Sequence, residues 1–389
     1  MTPFGKRINF NMFHLFVVSV VVSLTSEAIN AFFPLFLQSL GATVMEVGLI
    51  LTASGLVSTT MMVPSGFLAD RYGKKTIIVL SLILSASAFL YSIVRSWVEI
   101  VPIAVLFTTA SAIFIPARTA VIADQTDHKN RAMVYGLMNI SWPVGGIIGP
   151  ILAGFLADRY GWNEVFYFVT AFSIASLLPA FKLKEPKTLS IEGEAERITT
   201  YGVSSREVNR VIAVHTAITL LNGIARGVIS PIVPFYLTDK LQLNKTELGL
   251  FLSLSYGISV IVTQPLSGLL ANRVGSKELL ILGSLLSPVA MAVFPLFDGF
   301  LPLFVVYMLQ FAFWSVSWPT SITLLVGAVP PSKRGFASAV RTTGFRLGFY
   351  AGPMIGAYLW ESVSPASPFY GAAFFLALAV PFTFIVKKP

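Results

Sequence analysis

A small number of charged side chains interrupt long apolar stretches of the 389-residue chain. They are Glu27, Arg118, Arg226, Arg341 and Arg346, with Asp124 at the end of one such stretch. An ion in hydrocarbon costs at least about 2.5 kcal/mol, so a charge inside an apolar segment is by default a candidate for a functional site. Carboxylates in such places can exchange protons, and guanidinium groups can bind carboxylates or phosphates. Glu27 and Asp124 are therefore proton-coupling candidates.

Glu27 and Arg226 each lie on a polar helical face. Polar residues recur at helical spacing in Ser19, Ser23, Glu27 and Asn30, and again in His215, Thr219, Asn222 and Arg226. Both charges fall about 25 Å from the start of their predicted helices, so they could meet at one level. Glu27 would then be a coupling carboxylate whose protonation changes between states. A static ion pair with Arg226 that holds the outer half shut is the open alternative.

An aromatic stripe follows helical spacing in the tenth apolar stretch. Its members are Tyr307, Phe311, Trp314 and Trp318, followed by Ser321. Rings with polar edges suit an apolar or aromatic substrate if the stripe faces a cavity. Ordinary packing against lipid or another helix is the alternative. The flanking Gln310 and Ser317 favour the cavity, because lipid-facing surfaces rarely hold such side chains.

Arg118 and Arg346 complete the charged candidates for a substrate cavity. With Asn30, Asn222, Arg226 and the aromatic stripe, they form the predicted cavity. Arg341 shares a helical face with Gly344 and Gly348, where packing against the second predicted helix is as plausible as substrate contact. Arg346 lies about 140° further round, so at most one of these two arginines is expected to point into the cavity.

The composition places these residues in a lipid bilayer. Hydrophobic residues make up 55% of the chain and charged residues 12%, too few charges for a solvated surface. Twelve apolar stretches are long enough to cross a membrane, six in each half. Most Lys and Arg residues fall in alternate loops, so the positive-inside rule predicts cytoplasmic N- and C-termini. The predicted fold is an all-α membrane protein of twelve transmembrane helices in the cell (plasma) membrane.

The two halves repeat each other at an offset of about 200 residues. Matched pairs include Pro34 and Pro234, Asp70 and Asn272, and Pro150 and Pro353. Parallel repeats of this kind are typical of secondary transporters. They predict an N-terminal six-helix bundle over 1–182, a cytoplasmic linker over 183–208 and a C-terminal six-helix bundle over 209–389.

The sequence lacks the signals that are typical of several functional classes. The net charge of +9 is dispersed over short loops, so we expect no nucleic-acid partner. Cysteine is absent, which excludes disulfides and thiolate metal sites, and no Gly-x4-Gly-Lys phosphate loop occurs. We therefore expect no enzyme activity, no metal and no cofactor, with a proton gradient or a counter-substrate as the energy source. The expected partners are the bilayer, protons and a small-molecule substrate, and the protein is expected to be a monomer.

A loop motif joins the second and third predicted helices, and it consists of Gly66, Asp70, Arg71, Gly73 and Lys75. Gly66 would permit close helix packing, Asp70 would meet the N-terminus of a neighbouring helix, and Gly73 would allow a tight turn. The motif resembles the loop signature of the major facilitator superfamily, and the whole chain is similar to its twelve-helix members. The resemblance implies a cytoplasmic gate in alternating access and a central cavity lined by helices 1, 4, 7 and 10. A purely topogenic loop is the alternative.

Glycine and proline recur together in the fifth and eleventh predicted helices. The residues are Gly145, Gly149, Pro150 and Gly154, and then Gly348, Gly352, Pro353 and Gly356. Glycines four apart permit close helix packing, and each proline invites a bend. The first pattern resembles the motif of drug/proton antiporters in this superfamily, with Ala153 in place of one of its glycines. Bending and packing alone would explain the same residues.

These observations predict a secondary active transporter that works by alternating access. Proton-coupled efflux of an amphiphilic or drug-like compound is the preferred function. Exchange or proton-linked carriage of an organic anion, a carboxylate or phosphate ester, is the alternative, because arginines outnumber glutamate inside the apolar stretches.

Overall fold

The computed structural model describes residues 10–126, 131–185, 205–330 and 333–386, and every regular element in those ranges is helical. The first half contains α1 (Phe10–Ser39), α2 (Val44–Tyr72), α3 (Lys74–Ala86), α4 (Trp97–Asp124), α5 (Arg131–Asn139), α6 (Ser141–Arg159), α7 (Trp162–Ala175) and α8 (Leu177–Phe181). The second half contains α9 (Ser205–Ile229), α10 (Ile232–Leu241), α11 (Lys245–Val274), α12 (Ser276–Val293), α13 (Phe300–Ala328), α14 (Arg334–Ser362) and α15 (Ser367–Ile385). Short 3-10 segments at Ser87–Ser92 and Phe294–Leu296 follow α3 and α12. The all-α prediction is confirmed for these ranges.

Eleven helices or joined helices in the described part of the chain are long and apolar enough to cross a membrane. The helix α14 is 29 residues long but falls outside this set, because Arg341, Arg346 and its glycines lower its hydropathy. A polar helix can still span a bilayer where its charges face the bundle interior. The count of twelve therefore stays a prediction.

Two predicted helices are each divided in two. The fifth becomes α5 and α6, which meet at Ile140, and the seventh becomes α9 and α10, which meet at Ser230 and Pro231. Pro231 directly precedes α10, where its missing N–H has no helical partner to lose. Pro150, by contrast, lies inside α6. The fifth helix is therefore interrupted before its glycine-proline motif and not at it.

The chain packs into two compact units. Unit 1 comprises the described residues of Met1–Gly41, Val57–Glu196 and Asn244–Ser253, and unit 2 comprises those of Ala42–Leu56, Arg197–Leu243 and Leu254–Pro389. Each unit thus takes in one segment from the other half of the sequence, which is the start of α2 in unit 2 and the start of α11 in unit 1. Residues 186–204 of the predicted linker lie outside the described residues.

In unit 1, glycines of α6 pack against α1. A Cβ built on Gly149 would lie 2.7 Å from the Leu24 carbonyl oxygen and 2.9 Å from the Ala28 nitrogen. A Cβ on Gly145 would overlap the side chain of Ser23. Contacts between helix backbones at this distance leave no room for a side chain, so these two positions require glycine.

In unit 2, the glycine face of α14 packs against α9. A Cβ built on Gly352 would lie 2.5 Å from the carbonyl carbon of Gly227 and from the nitrogen of Val228. Arg341 lies on the same side of α14, and its carbonyl oxygen accepts a hydrogen bond from the Thr219 hydroxyl of α9 at 3.1 Å. The glycine face that carries Arg341 therefore meets α9, and the expectation that this face packs against the second predicted helix was wrong. The second predicted helix, α2, meets another face of α14, since a Cβ built on Gly48 would lie 2.8 Å from the Pro353 carbonyl oxygen.

Candidate functional site

An arginine of α9 stacks on the aromatic stripe of α13. The guanidinium carbon of Arg226 lies 4.2 Å from the ring centroid of Trp314 and 4.8 Å from that of Phe311. A cation over an aromatic face gains about 0.5–2 kcal/mol, with the larger values where water is excluded. Arg226 is half-buried. At Phe311 and Trp314, the aromatic stripe therefore faces Arg226 of α9 within the same unit.

A second arginine, on α14, stacks on the next ring of the stripe. Arg341 is only 2% exposed, and its guanidinium carbon lies 4.3 Å from the ring centroid of Trp318. No residue that the structure describes accepts a hydrogen bond from its Nε or Nη2. Buried charged donors without acceptors are costly, because nothing offsets the loss of their hydration. An oxygen of a bound molecule that reached these donors would be held strongly.

The rings of the stripe and of α14 form an aromatic wall in unit 2, made of two groups of rings with Arg226 over both. Tyr307 and Phe311 are each 8% exposed, and their ring centroids lie 5.0 Å apart in an edge-to-face arrangement. The centroids of Trp314 and Trp318 are 5.4 Å apart. Phe345 of α14 meets Trp318 edge to face at 5.0 Å. Ring faces and guanidinium donors alternate along this wall, which suits a planar apolar molecule that carries hydrogen-bond acceptors.

The other cavity candidates of unit 2 are less closely joined to this wall. Asn222 donates to the Ile218 carbonyl of its own helix at 2.8 Å. The guanidinium carbon of Arg346 lies 5.8 Å from the Tyr350 ring centroid, and among the described residues nothing accepts a hydrogen bond from its Nε. Arg346 is half-buried. Arg341 and Arg346 thus each hold a donor without an acceptor among the described residues, but of the two only Arg341 is fully buried.

Glu27 is half-buried on α1 of unit 1. A Cβ built on Gly149 would lie 3.3 Å from the Glu27 Cβ, so α6 packs closely against α1 at the base of this side chain. The hydroxyl oxygens of Ser26 and Ser111 lie 2.8 Å apart and connect α1 with α4. Asn30 is exposed. The predicted pairing of Glu27 with Arg226 joins residues of different units and stays a prediction.

Arg118 connects three helices inside unit 1. It is 3% exposed, and its Nε donates to the Ser19 hydroxyl of α1 at 2.9 Å. Its Nη2 donates to the Met138 carbonyl of α5 at 2.6 Å, and its Nη1 to Asn139 Oδ1 at 3.3 Å. Every nitrogen of the group has an acceptor within the unit. These contacts give Arg118 a structural part, in contrast to Arg341.

The first residues of α3, directly after the turn that follows α2, contact the ends of α4 and α8. Lys74 forms an ion pair with Asp124. The backbone N–H of Lys75 donates to Glu185 Oε1 at 2.8 Å, and its ammonium donates to the Phe181 carbonyl at 2.6 Å. Asp124 is a proton-coupling candidate from the sequence. Its carboxylate is thus ion-paired with Lys74, the residue between Gly73 and Lys75 of the loop motif.

Within the loop motif, the glycines have different roles. Gly73 has a φ of 93°, in the left-handed region, so a tight turn does require glycine there. No described atom lies within 4 Å of a Cβ built on Gly66, so the predicted close packing at Gly66 was wrong. Asp70 and Arg71 are exposed. The carboxylate that bonds to the start of α3 belongs to Glu185, which the sequence motif did not include.

A sequence profile described as Major Facilitator Superfamily matches residues 15–213 and 216–389. The chain belongs to the major facilitator superfamily. It is 26% identical over 348 residues to Multidrug resistance protein 2 of Bacillus subtilis, covering 87% of this chain and 86% of that one. It is 24% identical over 376 residues to Quinolone resistance protein NorA of Staphylococcus aureus, covering 95% and 93%.

The fold is also that of solved superfamily structures. A bacterial homologue of the human lysosomal transporter Spinster superimposes with a TM-score of 0.76 at 14% identity, over 96% of both chains. The apolar helices and the drug-resistance relatives together make this protein an integral transporter of the plasma membrane.

Sequence reasoning missed two carboxylates of the transporter that bond to helix starts. Asp158, at the end of α6, accepts hydrogen bonds from the backbone N–H groups of Lys245 and Thr246 at 3.4 Å each and from the Thr246 hydroxyl at 3.0 Å. Glu361, at the end of α14, accepts one from the Met45 N–H at 2.9 Å. The repeat offset of about 200 residues matches these two contacts to each other, and this was the signal that could have found them.

Proposed function

We propose that this superfamily transporter exports amphiphilic, drug-like compounds in exchange for protons by alternating access. The stack of Arg226 on Trp314 and Phe311 carries the substrate part of the proposal. It supports a site that offers ring faces together with guanidinium donors. Relatives at about a quarter identity are named for multidrug and quinolone resistance, which supports export of such compounds.

The expected substrate is a planar apolar molecule with oxygen acceptors. Its rings would pack on the wall of α13 and on Phe345, since offset and edge-to-face ring contacts add about 0.5–1.5 kcal/mol to burial. Its acceptors would reach the free Nε and Nη2 of Arg341. A fixed cation is disfavoured next to Arg226 and Arg341, because like charges at short range repel.

Glu27 is the proposed proton-coupling residue. A carboxylate inside an apolar helix is stable when protonated or paired, and movement between states can change which of the two applies. The half-buried position of Glu27 on α1 supports this assignment, because partial burial makes the stability of the ionised form depend on the surroundings of the carboxylate. An ion pair with Arg226 would stabilise the ionised form of Glu27.

The proposal includes the finer topology predicted from the sequence. It has twelve transmembrane helices, with α14 among them, and both termini in the cytoplasm. It also includes a monomer that needs no metal or cofactor. Since the family and the named relatives are transporters, we propose transport and not catalysis as the activity.

Organic-anion exchange is the second candidate. The donors of Arg341 and Arg346 that lack acceptors among the described residues favour it, because a carboxylate or phosphate ester would supply charged acceptors in fork geometry. The aromatic wall argues against a small hydrophilic anion.

Flux measurements in proteoliposomes distinguish the two candidates. An imposed pH gradient should drive accumulation of an aromatic amphiphile against its own gradient, and collapse of the gradient should stop it. If a pH gradient has no effect and only electroneutral counterflow of an organic anion appears, the efflux proposal is wrong and anion exchange replaces it.

A further inference from the structure

A cavity of about 350 Å³ lies in unit 2 between the start of α9 and the end of α15. Residues of α9 form one wall, and the end of α15 forms the other. The lining consists of Arg206, Glu207, Arg210, Val211, Val214, His215, Ile385 and Val386. This cavity shares no lining residue with the aromatic wall.

The polarity of the cavity changes with depth. Arg206 and Arg210 are exposed at one end, whereas His215 is 1% exposed at the other. Arg206 and His215 are separated by about 13 Å along the helix axis. Between these ends the lining is aliphatic. A charged opening that leads into an apolar channel matches an amphiphile with an anionic head and a hydrocarbon chain.

Two hydrogen bonds bridge the matching place in unit 1. The side chain of Asn11 in α1 donates to the Lys184 carbonyl at 3.1 Å and accepts from the Lys184 N–H at 2.8 Å, which ties the start of α1 to the chain after α8. The repeat places Val211 at the position of Asn11. Valine has no polar side-chain atom, so it cannot make this tie, and the cavity lies there instead.

We propose that this cavity binds an anionic phospholipid of the surrounding leaflet. Its phosphate lies at Arg206 and Arg210, and the upper part of one acyl chain lies along Val211, Val214 and Ile385. The opening has two guanidinium groups against the single carboxylate of Glu207, so its charge favours an anion. Basic pockets between transmembrane helices are suited to anionic lipid headgroups. A lipid is favoured over a soluble phosphate because the lining between the charged opening and His215 is aliphatic.

Lipid titration of the purified full-length transporter tests this site. Phosphatidylglycerol and phosphatidylcholine are added to the protein in detergent, and binding is measured by native mass spectrometry and by the shift in unfolding temperature. Phosphatidylglycerol should bind more tightly, and Arg206→Gln and Arg210→Gln should each weaken it about fivefold. Arg159→Gln, an exposed arginine at the end of α6, is the matched control and should change nothing.

A cavity-filling variant distinguishes binding inside the cavity from attraction of the lipid by surface charge alone. Val214→Trp leaves the charge unchanged and should abolish the preference for phosphatidylglycerol. Glycerol 1-phosphate, which lacks acyl chains, should not compete. The proposal is overturned if Val214→Trp binds as the parent does, if glycerol 1-phosphate competes, or if Arg159→Gln weakens binding equally. If Val214→Trp does not fold, the arginine variants decide by themselves. Unchanged affinity of Arg206→Gln and Arg210→Gln for phosphatidylglycerol would then overturn the proposal.

Discussion

The guanidinium of Arg226 lies 4.2 Å from the ring centroid of Trp314. The contact joins α9, which the repeat matches to the helix of Glu27, to the aromatic stripe of α13. It places a permanent positive charge at the ring face that a planar substrate would use. Substrate rings must therefore share this surface with a cation, and their affinity should depend on the indole.

Replacement of Trp314 should weaken substrate binding. Trp314→Ala removes both the ring face and the support of Arg226, and we expect about a tenfold loss of affinity for an aromatic amphiphile. Trp314→Phe should keep most of it. Equilibrium binding of a fluorescent substrate measures this, with Phe374→Ala as the control because that ring is 59% exposed on α15. Equal affinity in Trp314→Ala and Phe374→Ala would contradict a role for the stripe.

Replacement of Arg118 should lower stability more than transport. Arg118→Gln removes the guanidinium that joins Ser19 of α1 to Met138 and Asn139 of α5, and we expect a loss of about 2–4 kcal/mol in the free energy of unfolding. Denaturation in detergent measures it, with the exposed Arg71→Gln as the control. If Arg118→Gln kept its stability and lost substrate binding, Arg118 would belong to the substrate site after all.

Removal of the carboxylates at the ends of α6 and α14 should loosen the helix starts that they hold. Asp158→Ala and Glu361→Ala each remove a charge from a helix N-terminus, which is worth about 0.3–1 kcal/mol. Because the chain has no cysteine, Leu248→Cys and Val47→Cys can report this by alkylation rate, since both residues are fully buried beside the capped ends.

We expect about a two- to fivefold faster alkylation when the neighbouring carboxylate is removed. Asp298→Ala is the control, because the Asp298 side chain is 88% exposed. Rates equal to those of the control would show that these hydrogen bonds do not hold the helix starts in place.

Replacement of glycine by alanine should have different effects at two positions of α14. Gly352→Ala would force apart the backbones of α14 and α9, and overpacking of this kind costs about 1–3 kcal/mol. Gly335→Ala meets no described atom within 4 Å and should be neutral or stabilising, because alanine favours helix. Thermal unfolding of the two variants compares them directly. A Gly352→Ala variant as stable as Gly335→Ala would mean that the helices move apart at no cost.

Local periodicity predicted much of this structure. Helical spacing alone grouped Tyr307, Phe311, Trp314 and Trp318, because residues three and four apart share a face. The glycines of the fifth and eleventh helices were also named from spacing. Which neighbour each face meets was not predictable, since it depends on the packing of distant segments, and Arg341 was set against the wrong helix for that reason.

The partners of buried polar groups were the least predictable part of the site. The acceptors of Arg118 on α5 lie directly before the break of the fifth helix at Ile140, and no proline or glycine at that residue indicates the break. Glu185 lies beyond the last apolar residue of the first half, so hydropathy gave no reason to connect it with Lys75. These contacts follow from tertiary packing and not from local pattern.

Proton flux during drug export tests the central claim most directly. Proteoliposomes with an internal pH indicator report whether export of an aromatic amphiphile moves protons in the opposite direction. The parent protein and Glu164→Gln, an exposed carboxylate, should show coupled proton movement. Glu27→Gln should lose it while still exchanging substrate downhill. If Glu27→Gln still responds fully to a pH gradient, Glu27 is not the coupling residue, and if the parent moves no protons, the transporter is not a proton antiporter.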